Sequence, residues 1–293
     1  MNIQKWIKNN SVNLENKKVV VTGATGGLGK EICYLLAECK ADIILACRNV
    51  SLAKSLTEDI KSKYPNTQIS IVQLDLSSLD SVNSCITELK KLNGIDILIN
   101  NAGVYNTPLK QLDSGYNNIF QINFLYTYYL TRKLLPELEK KENSRCVTLG
   151  SVAHNYSQIN TQDIDFSNNR KNSKIYGNSK RFLMFALYDL FKDSRVKLAI
   201  VHPGVTLTNM TNHYPKAINW LVKIGIKLLF PSPKQAVLSV MYGLNHDTTI
   251  NTWIGPSICN VWGKPQLSNL DTCDDLEYKQ ICQITHELYS KIK

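Results

Sequence analysis

Long hydrophobic runs are missing from this sequence of 293 residues: no stretch approaches the ~18 consecutive apolar residues that span a bilayer. Segment 1–18 also lacks an apolar run of signal-peptide length, so we expect neither a signal peptide nor an N-terminal membrane anchor. The hydrophobic fraction of 43% is nevertheless enough for a sizeable core. We therefore expect a soluble, cytoplasmic protein.

Clustered metal ligands and clustered basic residues are absent as well. The eight cysteines are scattered, with no Cys-x-x-Cys and no Cys/His pair at the spacing of metal ligands, which argues against a metal site and a disulfide framework. The net charge of +10 is dispersed, and no nucleic-acid-binding module is recognisable. We expect no metal and no nucleic-acid partner. The charge suits a solvated surface, an anionic cofactor or an anionic lipid.

Apolar runs alternate with helical patterns from Lys18 onward, and no linker or repeat interrupts them. Continuous apolar strands between helices are typical of a parallel sheet covered on both faces, with right-handed crossovers. The sequence therefore predicts an α/β fold: a single Rossmann-type doubly wound parallel sheet, flanked by helices, in one domain spanning 1–293. The predicted strands are 19–21, 43–47, 69–74, 95–99, 145–149 and 196–201, with 253–256 as the last strand and its turn.

A glycine-rich turn, Thr22-Gly23-Ala24-Thr25-Gly26-Gly27-Leu28-Gly29, separates the first strand from the first helix. Glycines there let the backbone approach a pyrophosphate, which then rests on the N-terminus of the helix. A glycine cluster alone also occurs in ordinary strand-to-helix loops. The strand before it, the helix after it and the second βα unit favour a dinucleotide site.

The end of the second strand indicates which dinucleotide binds. NAD-dependent enzymes usually carry Asp or Glu there, whereas this sequence reads Ala46-Cys47-Arg48-Asn49. The Arg48 guanidinium suits a 2′-phosphate, so we predict NADP(H) rather than NAD(H), with Lys30 as a candidate second contact. Asp75 and Leu76 follow the third strand, where the carboxylate can accept from an adenine amino group or cap the next helix. Ser77 or Ser78 can provide that cap instead.

Tyrosine and lysine stand four residues apart in four places, Tyr129/Lys133, Tyr176/Lys180, Tyr188/Lys192 and Tyr289/Lys293. In a helix this spacing puts phenol and ammonium on one face. A nearby cation favours the phenolate and brings the pKa of the tyrosine toward the range of a working acid or base. A lone copy is more often a solvated helix face, so the spacing does not choose among the four.

Four motifs in order resemble the short-chain dehydrogenase/reductase family over roughly residues 17–245. They are the glycine turn, Asn100-Asn101-Ala102-Gly103 after the fourth strand, Ser151 after the fifth, and Tyr176-x-x-x-Lys180. This order excludes Tyr129/Lys133 and Tyr289/Lys293, which do not lie between Ser151 and the sixth strand. Tyr188/Lys192 does lie there, but it comes 12 residues after Tyr176 and is rotated by about 120° around the helix. Tyr176/Lys180 is therefore selected as the pair at the helix end nearest the site.

The resemblance implies a role for each site residue. Tyr176 is expected to be the general acid/base, Ser151 to polarise the substrate oxygen, and Lys180 to bind the nicotinamide ribose and lower the pKa of the tyrosine. Asn123 is expected to hold a water of a proton relay. The expected cofactor-binding residues are Gly23, Thr25, Gly27, Leu28, Gly29, Arg48, Asp75, Leu76, Asn101, Ala102, Gly103, Tyr176, Lys180, Pro203, Gly204, Thr206 and Thr208.

Segments 46–49, 151–154 and 201–204 resemble the retinol dehydrogenase branch of that family, although Thr206 stands where a branched apolar residue is commoner. The branch mostly uses NADP(H) on retinoids, steroids or lipid aldehydes. The resemblance thus implies an NADP(H)-dependent oxidoreductase that interconverts a lipophilic aldehyde or ketone and its alcohol. The alternative is an NADP(H)-binding sensor without turnover.

Five further segments carry expectations about the surface. The resemblance makes 209–230 a mobile substrate cover, whose basic, amphipathic stretch 217–230 either packs on the core or makes weak contact with a membrane surface. The polar, Asn-rich insertion 155–173 is predicted to be a surface loop beside the pocket. Helices 115–140 and 174–192 resemble the family's dimer surface, which implies a homodimer by analogy. A polar C-terminal helix, about 272–293, is expected at the substrate mouth or a subunit contact.

Overall fold

One sheet organises the computed structural model, which describes residues 3–105, 107–169, 171–204 and 231–292. Within these ranges the order across the sheet is 3-2-1-4-5-6-7-8 in chain numbering, with seven parallel strands and an antiparallel eighth. The strands are β1 (Lys18–Thr22), β2 (Asp42–Cys47), β3 (Ile69–Gln73), β4 (Ile97–Asn100), β5 (Arg145–Leu149), β6 (Lys197–Val201), β7 (Thr252–Ile258) and β8 (Trp262–Asn269).

Helices cover both faces of this sheet, as predicted. They are α1 (Ile3–Asn10), α2 (Gly27–Glu38), α3 (Val50–Lys63), α4 (Leu79–Lys90), α5 (Asn118–Phe120), α6 (Tyr126–Glu139), α7 (Asn172–Phe191), α8 (Pro233–Gly243) and α9 (Asp275–Lys291). A π-helical turn, Gln121–Leu125, joins α5 to α6, and a 3₁₀ helix, Val152–Tyr156, follows β5.

Strand residues alternate between two apolar cores because successive side chains point to opposite faces. On β1, Val20 belongs to the core that also contains residues of α4, α6, α7 and α9, whereas Val19 and Val21 belong to the core that contains residues of α2, α3 and α8. The six strands predicted before residue 202 lie within two residues of their expected bounds. Burial on both sides explains the continuous apolar runs of β1, β2, β4, β5 and β6, whereas the residues of β3 are partly exposed.

The prediction that 253–256 is the last strand was wrong. β7 continues to Ile258, and β8 follows it through a short turn. β8 is an edge strand in which only Pro265 is buried, so it has neither an apolar run nor strict alternation to reveal it. Proline is tolerated at such an edge, where a missing N–H breaks no internal ladder.

The insertion 155–173 is more firmly held than a free surface loop. Asn117 donates its backbone N–H to Asp165 Oδ2 at 2.7 Å and its side chain to the Asp165 carbonyl at 2.6 Å. Asn178 Nδ2 donates to the Ile164 carbonyl at 2.8 Å, and Phe166 is buried. Side chains from α7 and from the start of α5 therefore satisfy its backbone, which composition alone does not reveal.

The C-terminal helix α9 packs across the surface formed by α6 and α7. The ring of Tyr289 lies 5.8 Å from that of Tyr129, and the Arg132 guanidinium stacks 4.1 Å from the Tyr289 centroid. Tyr278 contacts Phe185 on α7. Part of the surface that the sequence assigns to a homodimer is thus covered by the chain's own helix. No helix in the described ranges combines the length and apolarity needed to cross a bilayer.

Candidate active site

The carboxyl ends of the parallel strands gather the sequence-predicted residues at one edge of the sheet. The strand order reverses between β1 and β4, which creates a crevice where doubly wound sheets bind ligands. Gly23 follows β1 and Ala102 follows β4, and the two meet across this crevice. Gly23 has a φ of +63°, and a Cβ added to it would lie 2.9 Å from Ala102 Cα.

The glycine turn leaves no room for side chains at its two ends. A Cβ on Gly29 would lie 2.2 Å from the Gly23 carbonyl oxygen, so only glycine lets α2 start this close to the turn. Gly27 begins α2, and its N-cap Gly26 makes no side-chain cap. Thr25 and Leu28 lie half-buried in the same turn. The arrangement fits a pyrophosphate held by backbone N–H groups at a helix N-terminus.

Asn101 locks the glycine turn against the end of β4. Its Nδ2 donates to the Thr22 carbonyl at 2.8 Å and to the Gly23 carbonyl at 3.1 Å. Thr22 Oγ1 accepts from the backbone N–H groups of Asn101 and Ala102, both at 3.0 Å. The Asn101 side chain is therefore committed to the turn, while the neighbouring Gly103 is exposed.

The residues expected near the adenosine end occupy the ends of β2 and β3. Arg48 is exposed directly after β2. Lys30 is paired with Asp59 at 3.2 Å, which leaves Arg48 as the better-placed cation of the two. Asp75 accepts from the Ser77 backbone N–H at 2.9 Å and from its hydroxyl at 2.7 Å. Ser78, not Asp75, is the N-cap of α4, and Leu76 is buried.

Ser151, Tyr176 and Lys180 come together at the end of β5. Ser151 lies close enough to the Tyr176 phenol to lower its pKa, and it also caps the 3₁₀ helix by accepting from the Ala153 N–H at 3.2 Å. Lys180 Nζ lies 5.9 Å from the Tyr176 ring centroid and donates to the Leu149 carbonyl at 2.8 Å. The phenol, the hydroxyl and the ammonium thus lie close together, with Ser151 and Lys180 buried and Tyr176 half-buried.

Burial dominates the titration of this pair. It raises the pKa of Tyr176 to about 12, against a smaller lowering by the Ser151 hydrogen bond. Burial also lowers the pKa of Lys180 to about 8. The sequence predicts that the ammonium lowers the pKa of the phenol, whereas in the protein alone desolvation acts in the opposite direction. Both shifts disfavour the charged forms, as expected for groups withdrawn from water.

Asn123 sits in the π-helical turn and is fully buried. Its Oδ1 accepts from the Val104 N–H at 2.7 Å, and its Nδ2 donates to the Val104 carbonyl at 2.9 Å and to Ser179 Oγ at 3.1 Å. The side chain therefore joins the segment after β4 to α7, next to Lys180. A water held by Asn123 stays a prediction.

The remaining predicted residues follow β6. Pro203 and Gly204 turn the chain, and Gly204 has a φ of +81°. Thr206, Thr208 and the substrate cover 209–230 lie outside the described residues. In the part of the chain that the structure describes, no group of three or more His, Cys, Asp or Glu side chains is arranged to hold a metal.

Sequence reasoning missed several residues around the phenol. Tyr105 contacts the Tyr176 ring edge-on, with centroids 5.0 Å apart. Gly177 lets α7 approach the 3₁₀ helix, because a Cβ there would lie 2.1 Å from the Ala153 carbonyl oxygen. Arg181 and Glu277 form a buried ion pair. Arg181 directly follows Lys180, and this pair of cations before the apolar stretch of α7 could have indicated that Arg181 is buried. No comparable sequence pattern indicated Glu277.

Comparison with known proteins places this site in a family. A family model described as short chain dehydrogenase matches residues 17–219. Retinol dehydrogenase 12 of Mus musculus is 34% identical over 218 residues, covering 72% of this chain and 68% of the mouse protein. Retinol dehydrogenase 13 of Homo sapiens is 33% identical over 205 residues, 68% of this chain and 62% of the human protein, so the match spans less than two thirds of that relative.

Solved structures share the fold. An uncharacterized protein from Mycobacterium paratuberculosis aligns over 96% of both chains, with a TM-score of 0.75 and 23% identity. A short-chain dehydrogenase from Sphingobium yanoikuyae, solved with NADPH, aligns over 78% of this chain and 84% of its own, with a TM-score of 0.60 and 21% identity. The family-model match and the retinol dehydrogenase relatives show that the chain belongs to the short-chain dehydrogenase/reductase family, in its retinol dehydrogenase-like branch, as an oxidoreductase acting on CH–OH or C=O groups.

Proposed function

We propose that this protein uses NADP(H) to interconvert a lipophilic aldehyde or ketone and its alcohol, with Tyr176 as general acid/base. The observation that carries the proposal is the closeness of Ser151 to the Tyr176 phenol, beside the Lys180 ammonium and after the carboxyl end of β5. An acid, a hydrogen-bond donor and a cation are what a carbonyl oxygen needs as negative charge develops on it.

The three side chains divide the work on the substrate oxygen. NADP(H), when bound, supplies or accepts the hydride. During reduction the Tyr176 hydroxyl donates its proton to the oxygen while Ser151 donates a hydrogen bond to it, and during oxidation the phenolate removes that proton. The Lys180 ammonium stabilises the phenolate, and its tether to the Leu149 carbonyl keeps it close. Positioning these groups beforehand reduces the reorganisation that the reaction requires.

The preference for NADP(H) rests on charge at the end of β2. Arg48 is exposed there and no carboxylate accompanies it, whereas Lys30 is held by Asp59. A guanidinium binds a phosphate through two parallel N–H donors, which suits a 2′-phosphate better than ribose hydroxyls. The structural relative from Sphingobium yanoikuyae, solved in complex with NADPH, supports this choice by analogy.

Apolar side chains next to Tyr176 support a lipophilic substrate. Val104 and Tyr176 pack against a small cluster of buried residues, and the Tyr105 ring lies 5.0 Å from the Tyr176 ring. The buried members of that cluster are Ile119, Phe166 and Ile175. Apolar walls with few convergent polar groups are typical of sites that bind small hydrophobic molecules.

Tyr176→Phe tests the proposal directly. We expect kcat to fall by at least about 100-fold in a screen of aldehydes and ketones followed by NADPH absorbance, since a positioned proton donor contributes that much or more. The Kd for NADPH should change by no more than about threefold, because the hydroxyl serves the reaction more than affinity.

Tyr188→Phe is the matched control, because Tyr188 lies on the same helix with a lysine four residues later. Its hydroxyl donates to the Thr252 carbonyl at 2.6 Å, far from Ser151 in the chain, so this variant should lose some stability and keep its turnover. Full activity of Tyr176→Phe would refute the assignment. NADPH binding without consumption of any carbonyl by the wild type would favour the sensor instead.

A further inference from the structure

Two consecutive cations of α7 hold the backbone on either side of Ser151. Lys180 Nζ donates to the Leu149 carbonyl at 2.8 Å, two residues before the serine. Arg181 Nη1 donates to the His154 carbonyl at 3.1 Å, three residues after it. Neighbouring helical residues point about 100° apart, so one helix reaches both ends of the Ser151 turn.

His154 links the Ser151 turn to the segment that precedes α9. Its Nδ1 lies 2.6 Å from the Ser151 carbonyl oxygen, which can only accept, so Nδ1 carries the proton. Nε2 then accepts from the Thr272 hydroxyl at 2.9 Å, and Arg181 Nη2 donates to the Thr272 carbonyl. Burial lowers the pKa of His154 to about 4, which keeps the ring neutral as this arrangement requires.

Glu277, in the first turn of α9, completes the network. Its carboxylate accepts from Arg181 Nε at 2.7 Å and from Arg181 Nη2, and also from the Ile159 backbone N–H at 2.9 Å. Arg181 is 2% exposed and Glu277 6% exposed. Asp274 caps α9 by accepting from the Glu277 backbone N–H at 2.8 Å, which fixes the backbone that carries this side chain.

We propose that Arg181 and Glu277 are positioning residues for Ser151, so that the start of α9 sets the geometry of a reaction centre formed by β5 and α7. The network holds the 151–159 segment at three points: the Ser151 carbonyl, the His154 carbonyl and the Ile159 N–H. The inference rests on the proposed function, in which the Ser151 hydroxyl contacts the substrate oxygen.

Glu277→Gln is the variant of choice, because it keeps the shape of the side chain and removes its charge. Glu137→Gln is a matched control: Glu137 is 5% exposed and likewise accepts from a cation, Lys140, and from a backbone N–H, that of Gly94. Each substitution weakens one largely buried glutamate, but only the first touches the Ser151 network. The two variants therefore separate loss of positioning from loss of stability.

We expect kcat of Glu277→Gln to fall by roughly 10- to 100-fold with the NADPH KM unchanged, since small displacements of a positioned group cost about that much. The pH at which alcohol oxidation is half-maximal should rise, because the Ser151 hydrogen bond lowers the pKa of Tyr176 and would be weakened. Glu137→Gln should lower the melting temperature without either change. A loss of stability in Glu277→Gln with normal kcat and pH profile would overturn the proposal.

The double variant Arg181→Met/Glu277→Leu adds a second test. Replacing a buried ion pair by apolar residues often restores the stability that a single charge-removing change loses. We expect its melting temperature to recover while kcat stays low, because no side chain then binds the His154 carbonyl or the Ile159 N–H. Recovery of both would show that the pair is only structural.

Hydrogen exchange gives a readout that does not need turnover. Amides in 151–159 should exchange at least about tenfold faster in Glu277→Gln than in the wild type or Glu137→Gln, because opening of that segment loses its anchor. If the wild type reduces no carbonyl yet this difference appears, the proposed function fails and the positioning network stands. Equal exchange in all three proteins would overturn the network.

Discussion

Gly29→Ala adds a single methyl group where the structure has no space for it. The new Cβ would lie 2.2 Å from the Gly23 carbonyl oxygen and 2.9 Å from both Cα and the carbonyl oxygen of Ala24. All three are backbone atoms, so no side chain can rotate away. Carbon and carbonyl oxygen rest at about 3.3 Å or more, so the turn and the first residues of α2 must separate by about 1 Å.

Two effects of opposite sign compete in this variant. Alanine is a better helix former than glycine by about 1 kcal/mol, which taken alone predicts a more stable protein. Overpacking costs about 1–3 kcal/mol, and the displaced turn is the one that would hold the pyrophosphate. We expect the clash to win: the melting temperature should fall by several degrees, and the Kd for NADPH should rise about 10- to 100-fold, at about 1.4 kcal/mol per factor of ten.

Titration of NADPH fluorescence and a thermal melt measure the two quantities, and Gly26→Ala provides the control. A Cβ on Gly26 would lie 3.3 Å from the same Gly23 oxygen, so a shift of a few tenths of an ångström accommodates it. Its Kd should therefore change by no more than about threefold. If Gly29→Ala binds NADPH like the wild type and melts at a higher temperature, the close approach at this turn has no role in binding.

Two further predictions follow from charge and burial. Arg48→Ala should raise the KM for NADPH about tenfold or more and leave the KM for NADH unchanged, because a charge-assisted hydrogen bond contributes about 1.5–3 kcal/mol. Lys30→Ala should change the KM for NADPH little, because the Lys30 ammonium is already paired with Asp59. A comparable rise in the KM for NADPH in both variants would contradict the role given to Arg48. Burial lowers the pKa of His202 and of His154 to about 4, so each is protonated in the unfolded chain but not in the fold between pH 6.5 and 4. The free energy of unfolding should therefore fall as pH falls through that window, by up to about 1.4 kcal/mol per pH unit for each histidine. Replacing His202 by Gln should remove one of these two contributions from the dependence of the unfolding free energy on pH, measured by urea titrations. If the variant shows the same pH dependence as the wild type, the His202 ring is not held neutral in the fold.

Much of the fold could be predicted because parallel strands carry their own pattern. β1, β2, β4, β5 and β6 are buried on both faces, and that burial is what an apolar run between two helices records. β8 could not be found this way, since an exposed edge strand has no such constraint. The insertion 155–173 is polar in composition yet anchored by side chains from distant elements, such as Asn117.

Some residues of the candidate site could likewise be predicted from local patterns, and others could not. Ser151 follows a strand, and Tyr176 and Lys180 share one helix, so motif order and local spacing were enough to predict that the three lie together. The Arg181–Glu277 pair joins residues 96 apart in the chain, and no local pattern links them. The direction of the pKa shift of Tyr176 could not be predicted from the sequence either, because residue spacing reveals a neighbouring charge but not the desolvation that burial causes.

The π-helical turn Gln121–Leu125 contains one residue more than an α-helix would place there. That residue lets Asn123 face Val104 while Thr131, two turns further on, accepts from Asn100 at 2.9 Å. Successive residues of a helix are rotated by about 100° around its axis. Deleting one position of the turn would therefore rotate the Asn123 and Thr131 side chains relative to each other, so that both could not face their partners at once. A shortened turn would therefore preserve either the contact of Asn123 with Val104 beside the reaction centre or the contact of Thr131 with Asn100 at β4, but not both.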